Sequence, residues 1–332
     1  MLRKATGMTR WNLLAGVAAV LMLAGCAVSV PGAPLVDPVA LRAIANAPLT
    51  AAGVFGPDAS TVAPCSMVAI SELPLSLDAT QQPADGFDDC PLSVALPDGT
   101  RVDVSVGPLE TQADQPFLRS RQIATLPRGL TLATDASNSP GFCNDYLRFG
   151  DGVSLDVLAS AADATSTADV CPAAEALARN AATAIRAGSI RHVAYAAGSL
   201  GRIDPCPLVT DDTLTAAGLT GFNPAPYPQH HECVWTSPTE TGTTLRLLFD
   251  IDTPPQVTDA TTDTSSQIAG RASVTTKIDK LCLIRTGLNT AGSANRVEVA
   301  MVSVDTTITS TVDACTVSQA VATAVWPKLP GS

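Results

Sequence analysis

Apolar residues recur along this chain at two periods, and the switch between the periods marks two rounds of one element order. From Val94 to Val106 they alternate about a Pro97-Asp98-Gly99 turn, with Val102, Val104 and Val106 on one side. Period-two alternation about a turn predicts a half-buried hairpin. Residues 234–251 repeat it, turning at Glu240-Thr241-Gly242 with Leu245, Leu247 and Phe249 inward. A polar stretch rich in Asp, Thr, Gln and Ser follows, and then three short strands are predicted near residues 272–278, 281–286 and 296–304. In the last of these Val297, Val299 and Met301 alternate. Each round ends on an Ala-rich segment, 172–185 and 316–326, whose composition favours helix. Each opens on a short helix behind a Pro-Cys pair; in the second, Leu214 and Ala217 share a face and Gly218 stops the helix. The order helix, hairpin, strands, terminal helix predicts an α+β fold in two tandem domains. Each would be an antiparallel sheet with helices packed mainly on one face and two disulfides.

The cysteines carry the same repeat. From Cys65 to Cys171 the steps between cysteines are 25, 53 and 28; from Cys206 to Cys315 they are 27, 49 and 33. Neighbouring residues echo as well. Pro64-Cys65 answers Pro205-Cys206, Arg121-Gln122-Ile123-Ala124 answers Ser266-Gln267-Ile268-Ala269, and Ala168-Asp169-Val170-Cys171 answers Val312-Asp313-Ala314-Cys315. A period of about 140 residues is too long for a solenoid and implies a duplicated domain. Four cysteines per copy allow three connectivities. We expect first-to-second and third-to-fourth, namely Cys65–Cys90, Cys143–Cys171, Cys206–Cys233 and Cys282–Cys315. Each closes a loop worth about 3 kcal/mol on a chain-entropy account. Metal ligation is disfavoured because no C-x-x-C occurs.

The remaining cysteine, Cys26, changes the picture of location. Arg3, Lys4 and Arg10 precede an apolar run from Leu13 to Leu23 that closes on Leu23-Ala24-Gly25-Cys26. That pattern predicts a lipoprotein signal peptide over residues 1–25, with diacylglycerol on the Cys26 thiol. The run is shorter than the roughly 20 residues that span a bilayer. Residues 26–60, with five prolines and three glycines, read as a tether. The first domain is expected over 61–187, a connector over 188–203 and the second domain over 204–332. Three of the twenty basic residues and none of the 31 acidic ones lie before Cys26, leaving 17 against 31 and a formal charge of −14. So acidic a body repels nucleic acid and anionic headgroups. Aromatic residues at 4 % are too few for a stacking platform for sugars or bases.

The second copy resembles a known family. Asp204-Pro205-Cys206-Pro207-Leu208, Gly218-Leu219, Cys233-Val234-Trp235, Ile268-Ala269-Gly270-Arg271, the strand around Cys282, Val312-Asp313-Ala314-Cys315 and the ending Trp326-Pro327-Lys328-Leu329-Pro330 carry the likeness. It is that of an actinobacterial secreted lipoprotein family whose domain has no assigned function, and it covers residues 202–331. The first copy is an eroded version: no Asp precedes Pro64, and Cys90-Pro91-Leu92 stands where the family has Cys-x-Trp. The resemblance implies envelope location and fold, and no reaction or site residues.

Candidate chemistry is sparse. His230-His231-Glu232 is the densest metal-like cluster, but neighbours on an extended segment point to opposite faces. Ser199, in Gly198-Ser199-Leu200-Gly201, has His192 near it in sequence, yet no G-x-S-x-G elbow or phosphate-binding glycine loop occurs. Asp85-Gly86-Phe87-Asp88-Asp89 has spaced carboxylates without the ladder and closing Glu of a calcium loop, and reads as a solvated loop. Trp235 reads as core against the neighbouring disulfide. With no catalytic residues, metal or cofactor indicated, we expect a non-enzymatic, membrane-anchored envelope protein. It would bind an apolar ligand or a protein partner, with a groove between the copies as the expected place. A structural or sensory module without a pocket is the alternative. An envelope hydrolase is a further one, and it would show a buried, pKa-shifted carboxylate pair in a pocket.

Overall fold

The alternating segments assemble into two seven-stranded antiparallel sheets in a computed structural model. It describes residues 46–77, 85–111, 120–163, 165–237, 242–293, 295–307, 310 and 312–331. The first sheet comprises β1 (Ser76–Leu77), β2 (Cys90–Ala95), β3 (Arg101–Thr111), β4 (Ser120–Thr125), β5 (Thr131–Asp135), β6 (Phe142–Arg148) and β7 (Val153–Ala161). The second comprises β8 (Asn223–Pro226), β9 (Glu232–Thr236), β10 (Thr243–Asp252), β11 (Asp263–Ile268), β12 (Arg271–Ile278), β13 (Leu281–Ser293) and β14 (Arg296–Thr306). Their spatial orders are β1-β2-β3-β7-β6-β5-β4 and β8-β9-β10-β14-β13-β12-β11. Strand for strand the two orders are the same, in parallel with the repeat in the cysteine spacing.

Each copy has its own apolar core. Val102, Val104 and Val106 join Leu155, Val157 and helix α2 (Cys171–Ala187), whose Ala174, Leu177, Ala178, Ala181 and Ile185 recur at helical spacing. Gly188, at φ 70°, ends α2 in the left-handed conformation that glycine adopts without strain. In the second copy Leu245, Leu247 and Phe249 pack with Val302, Val304 and the C-terminal helix, Ala314–Val325. The side chain of Asp313 caps that helix by accepting from Thr316 N at 2.7 Å. Trp235 and Trp326 are both buried there, and Trp326 Nε1 donates to Ser273 Oγ at 3.1 Å.

The disulfides join Cys65–Cys90, Cys143–Cys171, Cys206–Cys233 and Cys282–Cys315. One bridge in each copy ties the opening 3-10 turn to the hairpin, and the other ties the terminal helix to a strand.

Three expectations need correction. The segment expected as a tether over residues 26–60 is not free throughout, because Leu49, Ala51 and Phe55 are buried in the first core. Helix α1 (Ala51–Phe55) holds them there, Gly150 N donates to Leu49 O, and Phe55 meets Phe149 edge-on with centroids 5.5 Å apart. Residues 26–45, including Cys26, lie outside the described residues. The polar stretch before residue 272 contains β11, a strand that alternation did not reveal. It is an edge strand with Thr264 to Gln267 exposed, so neither face imposes an apolar row. Asp263 starts it by accepting from Thr258 N and Thr276 Oγ1. Residues 188–203, finally, are no free connector. Val193 N donates to Thr61 O and Ala63 N to Arg191 O, while Leu200 is buried in the second core.

The cores are also interlocked: Phe87, from the first copy, is fully buried in the core of the second. Residues 46–332 form one compact unit. Cleavage within residues 188–203 of the oxidised protein should therefore leave the two pieces associated on native gel filtration. Phe87→Ala should cost about 3–5 kcal/mol in urea unfolding and release the pieces of the nicked protein.

Candidate functional site

The segment read as a solvated acidic loop, residues 85–89, is instead the centre of the seam between the copies. Matching positions in the two copies follow from the disulfides and the hairpin registers. Cys90 faces Val106 as Cys233 faces Leu247, so Asp88 matches His231, Asp89 matches Glu232 and Ser105 matches Arg246. Beyond an irregularity in β3 between Val106 and Leu109, Glu110 matches Asp250.

The matched pair Asp88 and His231 meet directly. His231 Nδ1 lies 2.6 Å from Asp88 Oδ1, with both side chains buried. His231 Nε2 lies 3.1 Å from the Gly201 carbonyl, which only accepts, so that nitrogen carries a proton. The acid oxygen at Nδ1 and the carbonyl at Nε2 together favour the doubly protonated ring. Burial works against the charge, but the Asp88 hydrogen bond and charge outweigh it and raise the His231 pKa. Phe87 stacks tilted on the imidazole at 4.9 Å, and Tyr195 meets Phe87 edge-on at 5.3 Å. Gln229 ties the rim: its Oε1 accepts from Leu109 N at 2.6 Å and its Nε2 donates to Asp88 O at 3.2 Å. Gly107, at φ 118°, runs so close that a Cβ there would stand 2.1 Å from Asp88 O.

Beside this pair lies a second pair of acids, Asp89 and Asp250. Asp89 Oδ2 accepts from Ser105 Oγ at 2.5 Å, and Asp250 Oδ1 accepts from Ile251 N at 2.7 Å and Phe87 N at 3.3 Å. Desolvation raises both, with Asp89 adding to the effect on Asp250, whose pKa reaches about 7. The junction is packed, and these acids do not line the grooves of about 540, 480 and 440 Å³ found elsewhere. A comparable acid, Asp156 on β7, is raised to about 7 by burial beside Asn144 and Asp135.

The other candidates separate. His230 is half-exposed with Nδ1 3.5 Å from Asp204, and Glu232 pairs with Arg246 Nε at 3.0 Å, so the three residues 230–232 face three different neighbours. Ser199 Oγ donates to Glu298 Oε1 at 2.5 Å, whereas His192 Nδ1 lies 2.7 Å from Thr61 Oγ1. These contacts place Ser199 and His192 in separate networks. No group of three or more metal-binding side chains occurs among the described residues. Comparison with family models, curated proteins and solved structures found no match to this chain.

Sequence reasoning missed the seam because its partners come from opposite halves. The one signal was the alignment of Asp88 with His231 two positions before matched cysteines. Removing one member strands the other as a buried charge, so His231→Ala should cost about 3–5 kcal/mol in chemical denaturation. That cost should shrink as pH rises through the raised imidazole pKa, where the wild type loses the stability that its imidazolium supplies.

Proposed function

We propose that this chain is a membrane-anchored envelope lipoprotein that binds a protein partner and catalyses no reaction. Diacylglycerol on Cys26 holds it at the extracytoplasmic face of the cytoplasmic membrane, with the residues from 26 to about 45 as the tether. In this reading residues 46–187 and 204–332 are two fused copies of the secreted lipoprotein domain that the second copy resembles, each with its helices mainly on one sheet face.

One observation carries the choice of a protein partner over an apolar ligand. The place where a lipid slot was expected, between the copies, is filled by Phe87, Tyr195, His231 and Gln229. Surface grooves lie on both copies, and the one of about 540 Å³ is on the second. It runs between Pro254 to Val257 and strands β11 and β12, with Ala272, Val274 and Val297 in its lining. Along its border β11 is a sheet edge among the described residues. An open edge beside a groove suits an extended polypeptide segment that adds a strand through main-chain hydrogen bonds and seats alternate side chains. The partner in this reading is such a segment.

A photo-crosslinker at Gln267 in intact cells tests the reading. It should give a discrete protein adduct that disappears when Ala272→Trp fills the groove, while a probe at Arg186 gives none. Cys26→Ser should abolish incorporation of labelled acyl chains and release the protein from membranes. Acyl-chain adducts at Gln267 would favour the apolar ligand, and no adduct at all would favour a structural spacer.

A further inference from the structure

The two matched corners of the seam solve one electrostatic problem differently. In one, Glu232 and the nearby Glu110 are carboxylates from opposite copies, and Arg246 interacts with both. In the other, Asp89 and Asp250 hold the matching positions, again from opposite copies, but the place of Arg246 is taken by Ser105, which is neutral. Gly86 shows how close these two come. A Cβ built there would lie 2.2 Å from Asp89 Oδ1 and 2.9 Å from Asp250 Oδ1, so the two oxygens are at most about 5 Å apart.

The other charged groups facing this corner do not replace the missing guanidinium. Asp88 is engaged with His231. Arg296, from the start of β14, hydrogen-bonds to the carbonyls of Asp85 and Ile251; its charge favours ionised Asp89, but less than burial disfavours it. Asp252, on the same strand as Asp250, adds negative charge. Two carboxylates held this closely in a desolvated site do not both ionise without cost.

We propose that Asp89 and Asp250 hold one proton between them in the role that the Arg246 guanidinium fills at the matching corner, and that losing this proton to solvent loosens the seam. The seam is then proton-responsive on one side and indifferent on the other. The sign follows from linkage. The folded protein keeps a proton that the unfolded chain releases near pH 4. The contribution of this pair to stability is therefore fully present below that pH and falls as pH rises toward the folded value, levelling off beyond it.

The intact chain in detergent allows a test by urea unfolding from pH 4.5 to 8.5, comparing wild type with Asp250→Asn and Asp89→Asn. Either amide keeps an oxygen acceptor and removes the second charge. The wild-type unfolding constant relative to each variant should rise about tenfold per pH unit up to about pH 7, then level. Comparing the chains cancels the separate titration of Asp156; Asp250 also helps to raise the His231 pKa, so the rise must appear with Asp89→Asn as well as with Asp250→Asn. The double variant should add nothing, and Glu232→Gln should show no such rise. Hydrogen exchange reads the seam directly. Corrected for intrinsic rate, the Phe87 amide should lose protection between pH 5 and 8 in wild type and keep it in Asp250→Asn. A flat ratio across that range overturns the proposal. Equal Phe87 protection at the two pH values in wild type also overturns it, even if neither variant folds.

Discussion

Burying Asp88 and His231 against each other is the constraint on which the junction depends. Neither group is stable in a desolvated site without the other, and the imidazole, engaged at both nitrogens, has no freedom to rotate away. The distance between the copies is thereby set at the length of one hydrogen bond. Phe87 must then lie over the ring, and the backbone at Gly107 must pass within reach of Asp88 O. The rest of the seam, from Gln229 to Arg296, closes around this contact. The two halves thus behave as one body, because an aromatic side chain and an acid from the first are buried with the second.

Inside each copy the constraints are local and repeated. A disulfide fastens the opening turn to the hairpin, a second fastens the terminal helix to a central strand, and seven strands take the same order. At the seam the matched positions carry different residues, Asp88 against His231 and Ser105 against Arg246.

What was legible in the residues follows from this division. Alternation found β2, β3, β9 and β10, since one face of each is covered and a register slip would expose it. Cysteine spacing brought out the duplication and the within-copy bridges. It was silent on β11, whose edge position removes the apolar row, and on Leu49 to Phe55, where proline and glycine nearby disguise a buried helical turn. The acidic run at residues 85–89 misled for a different reason. Carboxylates predict solvent unless a partner is known, and the partner of Asp88, His231, lies 143 residues away. Local patterning reports what a segment needs from its nearest surface; it does not report which distant residue will meet that need.

Fusion of the copies has a consequence for the residues at their junction. Where two identical chains meet about a symmetry axis, the residue nearest the axis faces itself, so Asp would face Asp and His would face His. A hydrogen-bonded acid–imidazole contact between matched positions is open only to copies that have diverged. By placing both on one polypeptide, the duplication frees the axial position from self-complementarity, and Asp88 with His231 occupies that freedom. The same covalent link commits the molecule to it, because a separated copy would carry half of a pair that no second copy of itself could complete.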